Sequence, residues 1–248
     1  MADKPRDPGV SIWVRPPRAP RRGSAPTGLS RDRILRAATD LLDAEGVEAF
    51  SMRKLAAALD VTPMSVYWYV DNKDELLELA LDTALGEMRV DPLAEDAADG
   101  DWREHLRLLV HEYRNCFARH PWAAQLAGRY LAIGPNAVAF NTSAVGTLRR
   151  TGLEGERLMA ALGLVLQFAY GYALVEAQWL GRVKASGRTE DELGLDIRGI
   201  AEQADSWYAE NADLQPGDDG MAAARERQFE AGLDLALAGI AAAAAAAR

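Results

Sequence analysis

The sequence is poor in the residue types on which redox, metal and hydrolytic chemistry depend. Its 248 residues include a single cysteine, Cys116, and three histidines. One cysteine excludes an intrachain disulfide, which suits the cytosol. His111-Glu112 resembles the start of the His-Glu-x-x-His motif that binds zinc, but Asn115 stands where the second histidine ligand would be needed. No glycine-rich phosphate loop, nucleophile elbow or paired-carboxylate signature is present, so we expect no catalytic residues, no metal and no cofactor.

Positive charge is also scarce, and it is concentrated at one end of the chain. The chain carries 28 basic and 37 acidic side chains, for a net charge of −9. Residues 1–28 hold six basic and two acidic side chains, whereas residues 29–73 hold six and seven. The remainder of the chain is therefore strongly acidic. This asymmetry is expected when only one end of a protein approaches phosphates and the rest is repelled by them.

Residues 1–28 are rich in proline, arginine and glycine, and they predict a disordered basic arm. No continuous apolar stretch follows the charges, so the arm is not a secretory signal. Two roles stay open: Arg18, Arg21 and Arg22 could enter a minor groove, or the arm could merely solvate the protein. The apolar triplet at 12–14 is unusual in such an arm. We expect it to dock on another surface, for which the arm's own domain is a candidate.

Residues 29–76 predict three short helices. Ser30, Ser51 and Thr62 are each placed to cap the start of one helix, and Gly46 is placed to end the first. Pro63 occupies the first position of the third helix, where a missing amide proton costs nothing. Three closely spaced helices of this kind form a small packed head.

The third predicted helix, 63–70, is too short to be stable alone, so Val66 and Val70 must hold it against its neighbours. Its other side suits base edges and phosphates better than a free surface, and it consists of Met64, Ser65, Tyr67, Trp68 and Tyr69. A plain packing module with the aromatic residues in a core is the alternative. It is disfavoured because Pro63, Ser65 and Lys73 make a poor core.

A specific pattern runs through the second and third helices. It reads Ser-Met-Arg-Lys-Leu-Ala at 51–56 and continues as Val-Thr-Pro-Met-Ser-Val-Tyr-Trp-Tyr-Val-Asp-Asn-Lys at 61–73. This pattern resembles the helix-turn-helix of the TetR family of transcriptional regulators, and most closely its tetracycline-repressor branch. Tyr69 departs from it, because that branch often has histidine there.

The resemblance implies which side chains contact DNA. Thr62, Pro63, Met64 and Ser65 would face base edges, while other positions are candidates for base or phosphate contact. The complete set of expected DNA-binding residues is Ser51, Arg53, Thr62, Pro63, Met64, Ser65, Tyr67, Trp68, Tyr69 and Lys73. The implied fold is all-α, with a three-helix DNA-binding head and a helical ligand-binding and dimerisation domain at 77–248.

The body beyond the head is helical in pattern throughout. Eighteen consecutive uncharged residues, 158–175, lie in a long helix and reach the length of a membrane span. We do not expect a membrane partner, because glycines, alanines and Gln167 dilute the hydrophobicity and no basic cluster flanks the segment. A helix that is apolar on all sides is buried on all sides. This helix and the last one, near 223–247, are therefore candidates for a four-helix dimer bundle.

Ligand cavities are mostly apolar with a few placed polar groups. The body offers His105, Asn115, Phe117, Trp122, Tyr130, Gln167, Phe168, Tyr172, Glu176 and Trp179 as candidate ligand-binding residues. Glu176 is singled out because a carboxylate on an apolar helix needs a partner, which could be a ligand's amine or hydroxyl, an arginine, or water.

These features predict a cytoplasmic, homodimeric repressor that binds a palindromic double-stranded DNA operator. A small hydrophobic or aromatic effector would release it. Two alternatives are kept: an architectural DNA-binding protein without an effector, which a solidly packed body would favour, and a helical enzyme or small-molecule-binding protein, which would need a catalytic constellation.

Overall fold

The computed structural model describes residues 11–14, 28–90, 101–204, 210–211 and 219–247, and every regular element among them is helical. A 3-10 turn, Ile12–Val14, comes first. The α-helices are Arg31–Ala49 (α1), Met52–Ala58 (α2), Pro63–Tyr67 (α3), Lys73–Leu85 (α4), Trp102–Arg119 (α5), Pro121–Ala127 (α6), Pro135–Arg149 (α7), Gly155–Ser186 (α8), Glu190–Ala204 (α9) and Gly220–Ala245 (α10). The predicted all-α class is confirmed.

The chain forms two compact units, Met1–Thr147 and Leu148–Arg248. The sequence placed a boundary between residues 76 and 77 instead, which falls inside α4. The difference arises because α4 packs against α1 of the head and also against α5 and α6. The head and the first body helices therefore form one unit.

The caps of the head helices are mostly those that the sequence predicts. The hydroxyls of Ser30 and Ser51 accept hydrogen bonds from the amides three residues further on, at 3.1 and 3.3 Å. Thr62 precedes α3 as predicted, but its hydroxyl lies 3.1 Å from the Ser65 hydroxyl and makes no capping bond to the backbone. Gly46 has a left-handed φ of 78° and interrupts α1, which nevertheless extends to Ala49.

Three of the four carboxylates of α4, Asp74, Glu78 and Asp82, are spaced about one turn apart. Each of them accepts hydrogen bonds from a different part of the first unit. Asp74 accepts from the Arg129 guanidinium at 3.1 Å and from the Tyr130 hydroxyl at 2.5 Å. Asp74 therefore ties the start of α4 to the segment that follows α6.

The side chain of Asp82 contacts the start of α7. It accepts from the backbone amide of Ala137 at 3.1 Å and from the side-chain amide of Asn136 at 3.2 Å. Burial raises the pKa of Asp82 above its ordinary value, while these hydrogen bonds act in the opposite direction. A Cβ atom on Gly134 would lie 2.3 Å from the Asp82 carboxylate, so only glycine permits this approach.

Glu78 binds the N-terminal tetrad, residues 11–14. Its carboxylate accepts from the Ser11 hydroxyl at 2.8 Å and from the Ile12 amide at 3.0 Å, and both Ser11 and Glu78 are buried. The Trp13 ring packs against Gly134. The apolar triplet thus docks on its own domain, and the disordered arm predicted for 1–28 does not describe these four residues. The rest of that arm, with Arg18, Arg21 and Arg22, lies outside the described residues.

In the second unit, α8 packs on α10, and α9 contacts both. The last helix, α10, places Phe229, Leu233, Leu237 and Ile240 in the core of this unit. Phe229 stacks on Phe168 of α8, with ring centroids 5.3 Å apart.

Both α8 and α10 are long and apolar enough to cross a membrane by length and composition. Only 33% and 28% of their most apolar stretches are buried within this one chain. The sequence predicts burial on all sides for such a helix, yet the described residues leave much of its apolar surface uncovered. Met159 and Leu164 on α8 and Leu235 on α10 are among the exposed side chains.

We predict that Ser11→Ala lowers the free energy of unfolding by about 1–2 kcal/mol, because a buried hydrogen bond to a carboxylate is lost. Urea denaturation followed by circular dichroism measures this. The same substitution in a Glu78→Ala background should cost much less, because the partner is already gone. Additive losses would show that Ser11 stabilises the protein in some other way.

Candidate functional site

The first candidate surface is built from α2 and α3, which pack on each other in the first unit. Val66 and Val70 are fully buried, as predicted, and they fix α3 despite its five residues. The tight turn between the helices passes through Asp60, whose φ of 55° is left-handed. This turn sets the angle at which α3 leaves α2.

The outer side of this helix pair presents most of the residues predicted to contact DNA. Met64 is 75% exposed, although it is a large apolar side chain. Arg53, Thr62 and Pro63 are also exposed, and Ser65, Tyr67 and Trp68 are partly exposed. An exposed methionine beside small polar groups has no role in the core of the head. It is suited to contact with base edges.

Three predicted DNA-binding residues form hydrogen bonds with the backbone of the head itself. The Lys73 ammonium donates to the Phe50 carbonyl at 2.7 Å and lies 5.4 Å from the centre of the Phe50 ring. The Tyr69 hydroxyl donates to the Leu29 carbonyl at 2.5 Å. Ser51 caps α2. These side chains hold the head together, and any phosphate contact by them would compete with the bonds they already make.

A buried histidine connects the head to the body helices of the first unit. His120, between α5 and α6, places Nδ1 2.8 Å from Asp43 of α1 and Nε2 3.0 Å from Glu87, just beyond α4. The Trp122 indole donates to the same Asp43 carboxylate at 2.6 Å. Arg119 lies 3.7 Å from Glu87. The cluster therefore joins α1, the end of α4 and the start of α6.

Both ring nitrogens of His120 face carboxylate oxygens, and only a protonated imidazole can donate from both. Burial alone would lower the pKa of His120, but its hydrogen bonds to Glu87 and Asp43 outweigh this effect and raise the pKa above its ordinary 6.5. The side chain is thus held as an imidazolium between two carboxylates.

The candidate ligand-binding residues of the first unit lie in varied settings. Phe117 is fully buried, and Trp122 and Tyr130 donate to Asp43 and Asp74 as described above. His105 is partly exposed and Asn115 is exposed. Beside Phe117, the Cys116 thiol is buried, and burial raises its pKa to about 12. Cys116 is therefore a small residue of the core.

The second unit contains a cavity of about 560 Å³ between α8, α9 and the start of α10. Its lining is mainly apolar and aromatic, and it comprises Phe168, Gly171, Tyr172, Val175, Glu176, Trp179, Glu190, Met221, Ala224, Arg225 and Gln228. Four of the predicted ligand-binding residues thus come together: Phe168, Tyr172, Glu176 and Trp179. The predicted Gln167 is exposed and does not line this cavity.

The polar groups of the cavity centre on Arg225. Its Nε donates to Glu176 at 2.8 Å, and its Nη1 donates to Glu190. The Trp179 indole also donates to Glu190, at 2.7 Å. Of the three partners considered for Glu176, the structure thus provides the arginine. Burial works against the charge of Arg225, but the two carboxylates raise its pKa further above the ordinary value, so it stays protonated.

Sequence reasoning missed Glu190 and Arg225. Each looks like an ordinary surface charge in the sequence, because Arg225 meets Glu176 49 positions away and Glu190 35 positions away. The only available signal was Glu176 itself, since a carboxylate on an apolar helix calls for a distant cation.

Comparison with known families identifies the class of protein. Residues 34–80 match the family of bacterial regulatory proteins described as the tetR family. The tetracyclin repressor-like C-terminal domain matches residues 94–244. The two matches together span the head and most of the body. The chain therefore belongs to the TetR family of transcriptional regulators, and the resemblance seen in the sequence is confirmed.

Individual relatives agree with this assignment. An HTH-type transcriptional regulator of Saccharopolyspora erythraea is 35% identical over 232 residues, which cover 94% of this chain and 92% of the relative. Apo ActR from Streptomyces coelicolor has a similar structure, with a TM-score of 0.71 at 30% identity, covering 90% of this chain and 100% of ActR. The complex of ActR with actinorhodin matches with a TM-score of 0.70 at 29% identity, over 88% and 99% of the two chains.

We predict that mutations of Arg53 and Ser65, on the outer side of the helix pair, change DNA binding in different ways. Arg53→Ala should weaken binding to all DNA sequences and lower the salt slope by about one unit, because a phosphate contact is lost. Ser65→Ala should change preference among sites. Fluorescence anisotropy at several salt concentrations measures both, with Arg182→Ala on α8 as the control. A salt slope unchanged by Arg53→Ala would contradict the assignment.

A second prediction concerns His120 and pH. Because its pKa is raised in the folded protein, its stabilising contribution is complete below about pH 6.5 and is lost as the pH rises through the folded pKa. The stability difference between the wild type and His120→Gln should therefore shrink from about pH 6 to about pH 9. Urea denaturation across this range tests it. A difference that does not vary with pH would mean that folding leaves the pKa of His120 unchanged.

Proposed function

We propose that this protein is a cytoplasmic repressor that binds a palindromic DNA operator as a homodimer and is released by a small aromatic or hydrophobic effector. Membership of the TetR family supplies the class of regulator. The cavity in the second unit is the observation that carries the effector response.

The head supports DNA contact through α3. Thr62, Pro63, Met64 and Ser65 come at its start, where the recognition helix of a helix-turn-helix meets base edges. Arg53 at the start of α2 is exposed and has the charge for a phosphate contact. Lys73 and Tyr69 support the surface indirectly, because their hydrogen bonds fix the ends of the helices that present it.

The uncovered apolar surface of α8 and α10 supports a homodimer. A groove between them is lined by Ala160, Leu164, Gly239 and Ala243, small or apolar residues that permit close helix approach. Two copies packed through these helices would form a four-helix bundle and cover this surface. The partner chain, and not lipid, would then bury the apolar side chains. Two recognition helices related by a twofold axis would then meet successive major grooves about 34–36 Å apart, which requires a palindromic site.

The cavity favours an effector-responsive regulator over an architectural DNA-binding protein. Its volume of about 560 Å³ is in the usual range for small-molecule sites, and its lining is apolar with few polar groups. ActR, a relative at 29% identity, has been solved with actinorhodin, so an aromatic ligand is a reasonable starting probe.

Release would work through α4, the helix that contacts the head helix α1 and also α5 and α6. Asp82 of α4 binds the start of α7, and α7 runs on to the boundary with the second unit. An effector can weaken DNA binding only by favouring a conformation in which the two heads are wrongly spaced. Effector and operator must then weaken each other's binding by the same factor.

The test begins with operators selected in vitro from random DNA, which should be palindromes. Actinorhodin and smaller aromatic compounds are then screened for binding to the full-length protein. A compound that binds in the cavity should lower operator affinity with a coupling of about 1–3 kcal/mol. Anisotropy with and without each compound measures this.

Gly171→Leu provides the matched control. A Cβ atom on Gly171 meets no other atom within 4 Å, so the backbone there accepts a side chain, and a leucine would occupy cavity space. Operator binding by the free variant should be unchanged, while binding of the compound and release by it are lost. A compound that fills the cavity of the wild type yet leaves operator affinity unchanged at saturation would favour the effector-free alternative.

A further inference from the structure

The cavity of the second unit is not balanced in charge. Among the described residues that line it, Glu176 and Glu190 are acidic and Arg225 is basic, and the other lining residues are uncharged. All three charged side chains are largely buried, with exposed fractions of 10%, 15% and 20%. In the described lining, carboxylates therefore outnumber cations by one, at a mainly apolar site.

We infer that the effector of this cavity is an aromatic compound that carries a positively charged amine. This inference rests on the proposed function and specifies the ligand class for the same site. A cationic group would neutralise the surplus carboxylate charge. The attraction between opposite charges is stronger at a partly buried site than in water.

An anionic ligand is disfavoured by the same arrangement. Arg225 is the only cation of the described lining, and its Nε and Nη1 already donate to Glu176 and Glu190. A ligand carboxylate would have to displace one of these groups, and it would raise the surplus from one negative charge to two. Removing a partner from a buried ion pair is costly, because the other charge is left uncompensated.

The aromatic lining favours a cation as well. Phe168, Tyr172 and Trp179 line the cavity together with the two carboxylates. Aromatic rings attract cations through the negative charge of their faces, and this adds to the attraction of the carboxylates. The rings also provide apolar area for a flat hydrophobic ligand. An amine joined to an aromatic ring system matches both properties.

Three ring-matched probes test the inference with the full-length protein: naphthylmethylamine, naphthylmethanol and naphthoate. Isothermal titration calorimetry should show that the amine binds about tenfold more tightly than the alcohol, and that the acid binds most weakly. Glu190→Gln should largely remove the preference, because it neutralises the surplus charge and keeps an acceptor for Trp179 and Arg225. Glu156→Gln, an exposed position on α8 outside the cavity, should keep the preference.

Binding that survives Gly171→Leu lies outside the cavity and counts as no binding there. Equal affinity for the three probes, or a preference for naphthoate, would overturn the charge inference and leave the effector cavity standing. A preference for the amine that Glu190→Gln leaves intact would overturn it too. If none of the three binds in the cavity, both this inference and the assignment of the cavity as the effector site fail.

Discussion

Three of the four carboxylates of helix α4 lie about one turn apart in a largely apolar unit, and the surrounding structure has to satisfy them. Asp74 accepts from Arg129 and Tyr130, Glu78 from the N-terminal tetrad, and Asp82 from the start of α7. A carboxylate buried without partners would be costly, so these bonds fix where each segment lies. Since α4 also packs against α1, the same constraint sets the position of the DNA-binding head.

In the first unit, polar side chains mainly hold the helices in place relative to one another. Lys73 and Tyr69 bind carbonyls at the ends of the head helices, and His120 joins Asp43 of α1 to Glu87 beyond α4. These bonds leave the start of α3 as the exposed part of the head. A rigid support of this kind lets a five-residue helix present side chains in a fixed geometry, which recognition of base edges requires.

The second unit has the opposite character, because its long helices are apolar on several faces. One face of α8 packs on α10, one part lines the cavity, and a further part is uncovered in the single chain. A helix that is apolar on several faces has the length and composition of a membrane span, and α8 is such a helix. The described residues of one chain thus leave part of this apolar surface accessible, both in the cavity and on the outer faces of the helices.

The sequence determined what depends on neighbouring residues: the caps at Ser30 and Ser51, the break at Gly46, and the exposed start of α3 with its family pattern. It also brought four of the cavity residues to notice, since Phe168, Tyr172, Glu176 and Trp179 recur along one helix. Tertiary structure alone decided the pairing of Glu176 with Arg225, the docking of Ser11 on Glu78, and the use of Trp122 and Tyr130 as hydrogen-bond donors. Those contacts join residues 49 to 79 positions apart. Periodicity and capping act over a few residues, so a local pattern carries no information about such partners.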